Sequence, residues 1–275
     1  MDPTINGALF SVINVLEKEK LTMDKIYKKN EVTFAIICIV IYVVGTSIME
    51  SIAESIGVFK LPSMIFHIIF TAVLFVWLKK NDLFKRYGLE KPKYKLYKAW
   101  FFMPLIIVAC SKIFFGVTLK YSLLETIFYI VSMACVGFLE EIIFRGFLFL
   151  GMAKDNIKTA IIVSSVTFGL GHIVNLFNGQ DLVRTLVQIC FAVAVGFSLV
   201  ALFYKGKSLI PCIAFHSLNN ALSGISDEEA SARFFGSADR ELFITAGISV
   251  ILLVIYSIYL MRSSLTNEGV DISET

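Results

Sequence analysis

Tyr121–Arg145 reads YSLLETIFYIVSMACVGFLEEIIFR. Apart from Glu125 near its start, it carries no charge until Glu140-Glu141, and Arg145 follows shortly after. Its length and polarity suit a helix that must cross ~30 Å of hydrocarbon. Carboxylates inside such a helix are costly, roughly +2.5–3.5 kcal/mol for a central Asp on insertion scales. A chain keeps them there where they face a partner or a cavity. The stretch predicts an all-α fold, a polytopic bundle of transmembrane helices with polar groups gathered inside it.

The rest of the chain agrees. Hydrophobic residues make up 57% of the 275 and charged residues 17%, against ~45–50% and ~25% in soluble domains. Eight segments are long and apolar enough to span, near 32–49, 61–78, 98–116, 121–145, 158–176, 183–204, 207–224 and 241–261. With the N-terminus inside, the inner flanks collect 18 of the 25 basic residues. They include Lys25, Lys28, Lys29, Lys79, Lys80, Lys85, Arg86, Lys154, Lys158, Lys205, Lys207 and Arg262. Lys60, Lys112, Lys120, Arg184, Arg233 and Arg240 fall outside. That asymmetry predicts about eight spans with both termini cytoplasmic. Dropping one span would put the basic 79–98 loop and Lys205/Lys207 on opposite faces. Residues 1–30 read as a cytoplasmic amphipathic segment, 31–264 as the transmembrane domain, and 265–275 as a polar tail. The charges of the N-terminal segment follow its apolar run, which is not the order of a cleavable signal. Basic residues clumped between apolar stretches indicate membrane topology and lipid contact, not nucleic-acid binding.

Cys38, Cys110, Cys135, Cys190 and Cys212 all lie in apolar stretches, and none forms a CxxC pair. They read as free thiols packing as small hydrophobes. The polar residues inside the spans are more telling. On an α-helix Glu141 and Arg145 are i,i+4 neighbours and can pair, while Glu140 points ~100° away from Glu141 and is free to face something else. His172 ends Phe168-Gly169-Leu170-Gly171-His172, whose glycines would let another helix come close. Glu140 precedes Lys154, and His172 follows Lys158, by the same length of chain. At 1.5 Å per residue each lies ~21 Å from the cytoplasmic charges, so the two groups match in depth. His216 and Asn220 share a helix face, and both can donate hydrogen bonds as an oxyanion-stabilising pair would. Pro211 is placed to kink that helix and open a cavity beside it. His67 has no carboxylate near it in sequence and reads as a packing residue.

Glu140-Glu141-x-x-x-Arg145, Phe168-x-x-x-His172 and His216-x-x-x-Asn220, in this order on separate membrane helices, resemble the CPBP family. That family includes the type II CAAX prenyl proteases and the bacterial abortive-infection proteins. The resemblance covers about 120–224. It implies an intramembrane endopeptidase that uses a water nucleophile on a membrane-associated or lipidated protein or peptide. In that picture Glu140 and His172 would activate the water, and His216 and Asn220 would stabilise the oxyanion. Glu141 and Arg145 would support the site. Two histidines and one or two glutamates are also a donor set that zinc can take, with Glu140, His172 and His216 as its ligands. A glutamate base beside a histidine works equally without metal, and both stay open.

The chain has no His-Glu-x-x-His pair and no Gly-x-Ser-x-Gly elbow. Nothing marks Ser164 or Ser165 as a nucleophile. Two rival functions remain at this level. One is a non-catalytic immunity or scaffold protein that binds a peptide or membrane partner in its polar core. The other is a transporter using Glu140 and His172 as a proton relay. An intact motif set favours the enzyme, and no inverted repeat favours the transporter. The expected location is a multi-pass position in a membrane, the cell membrane if the source is prokaryotic.

Overall fold

The structure, a computed structural model, describes residues 22–90 and 102–263. Most of the N-terminal segment, the start of the third expected span and the C-terminal tail lie outside the described residues. A short helix, α1 (22–29), leads into α2 (Glu31–Ile56) and α3 (Leu61–Lys80). Next come α4 (Met103–Ser111) and α5 (Leu123–Glu140), which continues through a π-helical stretch (Glu141–Phe149) into α6 (Leu150–Ala153). α7 (Ile157–Leu170) passes into a 3₁₀ turn (Gly171–Leu176). α8 (Leu182–Gly206), α9 (Ile210–Ser223), α10 (Glu228–Phe235) and α11 (Ala238–Arg262) complete the bundle. No strand occurs among the described residues, only an isolated antiparallel bridge between Val117 and Ser226.

Local chemistry sets the helix ends. Asn30 and Asn156 cap α2 and α7 by accepting from the Thr33 and Thr159 amides at 2.8 and 3.0 Å. Ser122 and Glu125 form a reciprocal capping box at the start of α5. Gly57 closes α2 in the left-handed region, where a Cβ would be strained. Pro211 sits in the first turn of α9. It therefore starts that helix instead of kinking it, because a first-turn residue needs no amide donor.

Six helices are long and apolar enough to cross a membrane: Glu31–Ile56, Leu61–Lys80, Leu123–Ala153, Ile157–Leu176, Leu182–Gly206 and Ala238–Arg262. They coincide with six of the eight expected segments. At the third and seventh places stand α4, with 9 described helical residues, and α9, with 14. Apolar side chains face outward along the long helices, including Val40, Val44 and Ile48 of α2 and Ile248, Ile251 and Ile255 of α11. In water such faces would need covering, but lipid accepts them without cost. The chain is an integral, multi-pass membrane protein.

Small residues bring the inner helices close. A Cβ on Gly137 of α5 would meet the Ser217 hydroxyl and backbone of α9. One on Gly169 of α7 would meet Val193 of α8, as the sequence led us to expect. Gly171 differs, since nothing lies within 4 Å of its Cβ position; it opens onto the cavity described below. All five cysteines are free.

Contacts tie loops together at the two ends of the bundle. At one end Glu31 pairs with Arg86 at 2.7 Å and with Lys154 at 3.1 Å. Trp77 donates to Asp24, and the Leu209 amide to the Gly88 carbonyl. At the other end Phe59 stacks on Tyr121, Val117 bridges Ser226, and Lys120 pairs with Glu228.

Candidate active site

The two glutamates mark where α5 changes its winding. From Glu141 to Phe149 the backbone is π-helical, and every side chain in that stretch is buried. π-Helix is rare and concentrates at functional sites, because its i→i+5 bonding re-aims side chains and leaves α-type partners unmet. Here the Phe144 carbonyl accepts a bond from the Ser164 hydroxyl of α7 at 2.8 Å. That bond occupies Ser164, while Ser165 is buried where Gly196 of α8 packs on it. Neither serine is presented as a nucleophile.

The structure adds a shared partner to the expected division of labour between the carboxylates. Glu141 pairs with Arg145 and Glu140 faces Tyr42 and the cavity, as the helix spacing led us to expect, but both carboxylates also reach His216 of α9. The Glu141 Oε1 lies 2.8 Å from His216 Nδ1, and the Glu140 Oε2 lies 3.2 Å from His216 Nε2. Glu141 Oε1 is also 3.0 Å from Arg145 Nη1. The pair is within ion-pair range, yet none of the three guanidinium nitrogens finds an aligned hydrogen bond among the described residues. The guanidinium instead lies over the Phe168 ring, 4.0 Å from its centroid, a cation–π contact that is strongest where water is excluded. Ionised carboxylates only accept hydrogen bonds.

Phe168 sits at the hub of the cluster. It meets the His216 ring edge-on at 5.5 Å and the His172 ring at 5.7 Å, and it packs against Phe144. His172 stands on the 3₁₀ turn just past α7. It lies within electrostatic reach of Glu140 and His216, on the wall of the same cavity. Asn220 lines that cavity one turn beyond His216. Its backbone carbonyl accepts from Tyr129, and its side-chain oxygen faces the Asn219 amide at 3.4 Å.

Tyr42 of α2 escaped the sequence reading. Its hydroxyl donates to Glu140 Oε1 at 2.5 Å, across 98 positions of chain. The one signal was a phenol in the middle of an apolar span, at a depth close to that of Glu140. His67 is buried as expected. Its ring nitrogens meet the Thr46 and Ser132 hydroxyls at 3.0 and 2.8 Å, which join α2, α3 and α5.

Tyr42, Glu140, Phe168, His172, His216 and Asn220 share one cavity of about 960 Å³. Among the described residues no three His, Cys, Asp or Glu side chains are arranged to hold a metal ion. His216 Nδ1 is held by Glu141, and Nε2 lies 3.2 Å from Glu140 Oε2, an oxygen with no aligned hydrogen bond among the described residues. The set does not fit a zinc site as it stands.

Residues 122–222 match the sequence model of the family described as type II CAAX prenyl endopeptidase Rce1-like. No curated protein and no solved structure gave a match. The matched segment contains all three motifs and is the family that they indicated. Over that segment the chain is similar to type II CAAX prenyl endopeptidases.

Proposed function

We propose that this chain, which carries the type II CAAX endopeptidase pattern on α5, α7 and α9, is an intramembrane endopeptidase. It hydrolyses peptide bonds of membrane-associated or lipidated proteins or peptides with an activated water. The observation that carries this reading is the position of Glu140. Its carboxylate, anchored by Tyr42, lies in a cavity large enough for a peptide, beside two histidines and an asparagine.

The water is held between Glu140 and His172. Glu140 takes one of its protons as the oxygen bonds to the carbonyl carbon of the substrate. The carbonyl π bond opens, and its oxygen becomes an oxyanion facing the donors of His216 and Asn220. The tetrahedral intermediate collapses, the carbon–nitrogen bond breaks, and the proton on Glu140 passes to the leaving nitrogen. The products are a carboxyl terminus and an amine. Glu141 holds His216 by Nδ1 and so keeps Nε2 aimed at the reacting centre. Arg145 offsets the charge of Glu141 from behind Phe168.

The test is cleavage of a library of membrane-tethered peptides by purified wild type and His172→Ala, with and without a chelator, and products read by mass. Wild type is expected to cleave, the variant to lose most of that activity, and chelator to change neither. No cleavage by a well-folded wild type across the library would overturn the reading, and loss of activity in chelator would overturn the metal-free mechanism.

Tyr42 enters as a positioning residue. Hydrogen bonds to charged groups are worth about 1.5–3 kcal/mol. Tyr42→Phe should therefore lower kcat by about ten- to a hundredfold and leave KM near its wild-type value. A rise in KM at constant kcat would place Tyr42 in substrate binding instead.

A further inference from the structure

The cavity is one-sided. Each element contributes the half that runs toward one end of the bundle: Glu50 of α2, Lys112 after α4, Asn178 past α7, Arg184 of α8, Ser223 of α9 and Glu241 of α11. This is the end where Phe59 stacks on Tyr121 and Lys120 pairs with Glu228. None of the residues that tie the other end, such as Glu31, Arg86, Lys154 and Leu209, lines it. Between the catalytic groups and that other end stands the buried π-helical stretch, with Phe144, Phe147 and Phe149 packed among Leu199, Leu202 and Phe203. Such a plug is impassable to a hydrated peptide, whose amides would lose water without gaining partners.

The sealed end is the basic one. It holds Lys25, Lys28, Lys29, Lys79, Lys80, Lys85, Arg86, Lys154, Lys158, Lys205, Lys207 and Arg262. The open end holds Lys60, Lys112, Lys120, Arg184, Arg233 and Arg240, beside Glu50, Glu54, Asp181, Asp227, Glu228, Glu229, Asp239 and Glu241. Lysine and arginine near span ends are retained on the cytoplasmic side.

We infer that the catalytic cavity opens on the non-cytoplasmic face of the membrane, and that its substrates are polypeptide segments presented from that face instead of cytoplasmic tails. The inference rests on the peptidase reading for the word substrate, but the direction of access stands on geometry and charge alone. Exposed Phe114, Phe177 and Phe234 lie on the segments around the mouth, as suits a rim seated in the interfacial layer. Glu140 lies 17 residues of helix beyond Leu123, a depth of ~25 Å at ~1.5 Å per residue. An extended substrate at ~3.3 Å per residue would thread about eight residues to reach it. The favoured substrate is thus an unfolded, juxtamembrane stretch on the outer side.

Two arms test this in cells expressing the full chain. In the first, Asn178→Cys at the mouth and Lys158→Cys at the basic end are treated with a membrane-impermeant maleimide, against the labelling background of the wild-type cysteines. Asn178→Cys should label several-fold above background in intact cells, and Lys158→Cys only after permeabilisation. The reverse pattern overturns the inference, whatever the activity of the protein. In the second, single-span reporter proteins carry one cleavable segment either outside or inside. Cleavage of the outward segment alone supports the inference, and cleavage of the inward segment alone overturns it. Cleavage of neither, with the expected labelling, counts against the peptidase reading while the direction of access stands.

Discussion

Glu140→Gln is expected to lower peptide hydrolysis by about 10²–10⁴-fold, the range that general-base catalysis contributes, and to leave the bundle folded. Glutamine has the same shape, and its amide oxygen still accepts from Tyr42. Its amide nitrogen has no lone pair for a proton from water, so only the chemical step is struck. The measurement is single-turnover cleavage of a membrane-tethered peptide beside thermal unfolding in the same detergent. A variant that unfolds at the wild-type temperature and cleaves at the wild-type rate would remove Glu140 from the mechanism. The sequence puts Glu141 beside it on the chain, but the two changes should not look alike.

For Glu141→Leu the expected damage is to stability. Glu141 is fully buried and is the one carboxylate beside both His216 Nδ1 and the Arg145 guanidinium. Removing one member of a buried ion pair costs about 3–5 kcal/mol, because the partner charge is left without compensation. Arg145 has no exposed surface and no aligned hydrogen bond among the described residues to fall back on. The double variant Glu141→Leu/Arg145→Leu should recover much of the loss, since it removes both charges together. Unfolding in detergent reads both, and equal stability of wild type and the single variant would show that the pair carries no such burden. Activity should stay low in the double variant, because His216 has lost the group that holds its Nδ1.

Much of this protein was legible from its residues. Apolar runs of spanning length each lie within one stretch of chain, and the structure adds the short-range caps at their ends, Asn30, Ser122 with Glu125, Asn156 and Gly57. The membrane location and the helical architecture therefore follow from sequence. Glu140, Glu141, Arg145, His172, His216 and Asn220 stood out for a related reason: each is costly in hydrocarbon unless something nearby accommodates it.

What accommodates them was decided by the tertiary structure. Helical periodicity separates Glu140 from Glu141, yet His216 of α9 is placed so that each of its ring nitrogens lies beside one of them, and Ser164 of α7 donates to the Phe144 carbonyl inside the π-helical stretch. Pro211 could as well bend a helix as begin one, and the position of the Leu209 turn against Gly88 settles that it begins α9. Tyr42 carried no motif, because its partner lies 98 positions away. The direction in which the cavity opens belongs to many separate segments at once, among them α2, α5, α8, α9 and α11. Capping and hydropathy are local free energies that a short window of sequence contains, whereas a hydrogen bond between distant spans or a void between helices exists only after all the helices have packed.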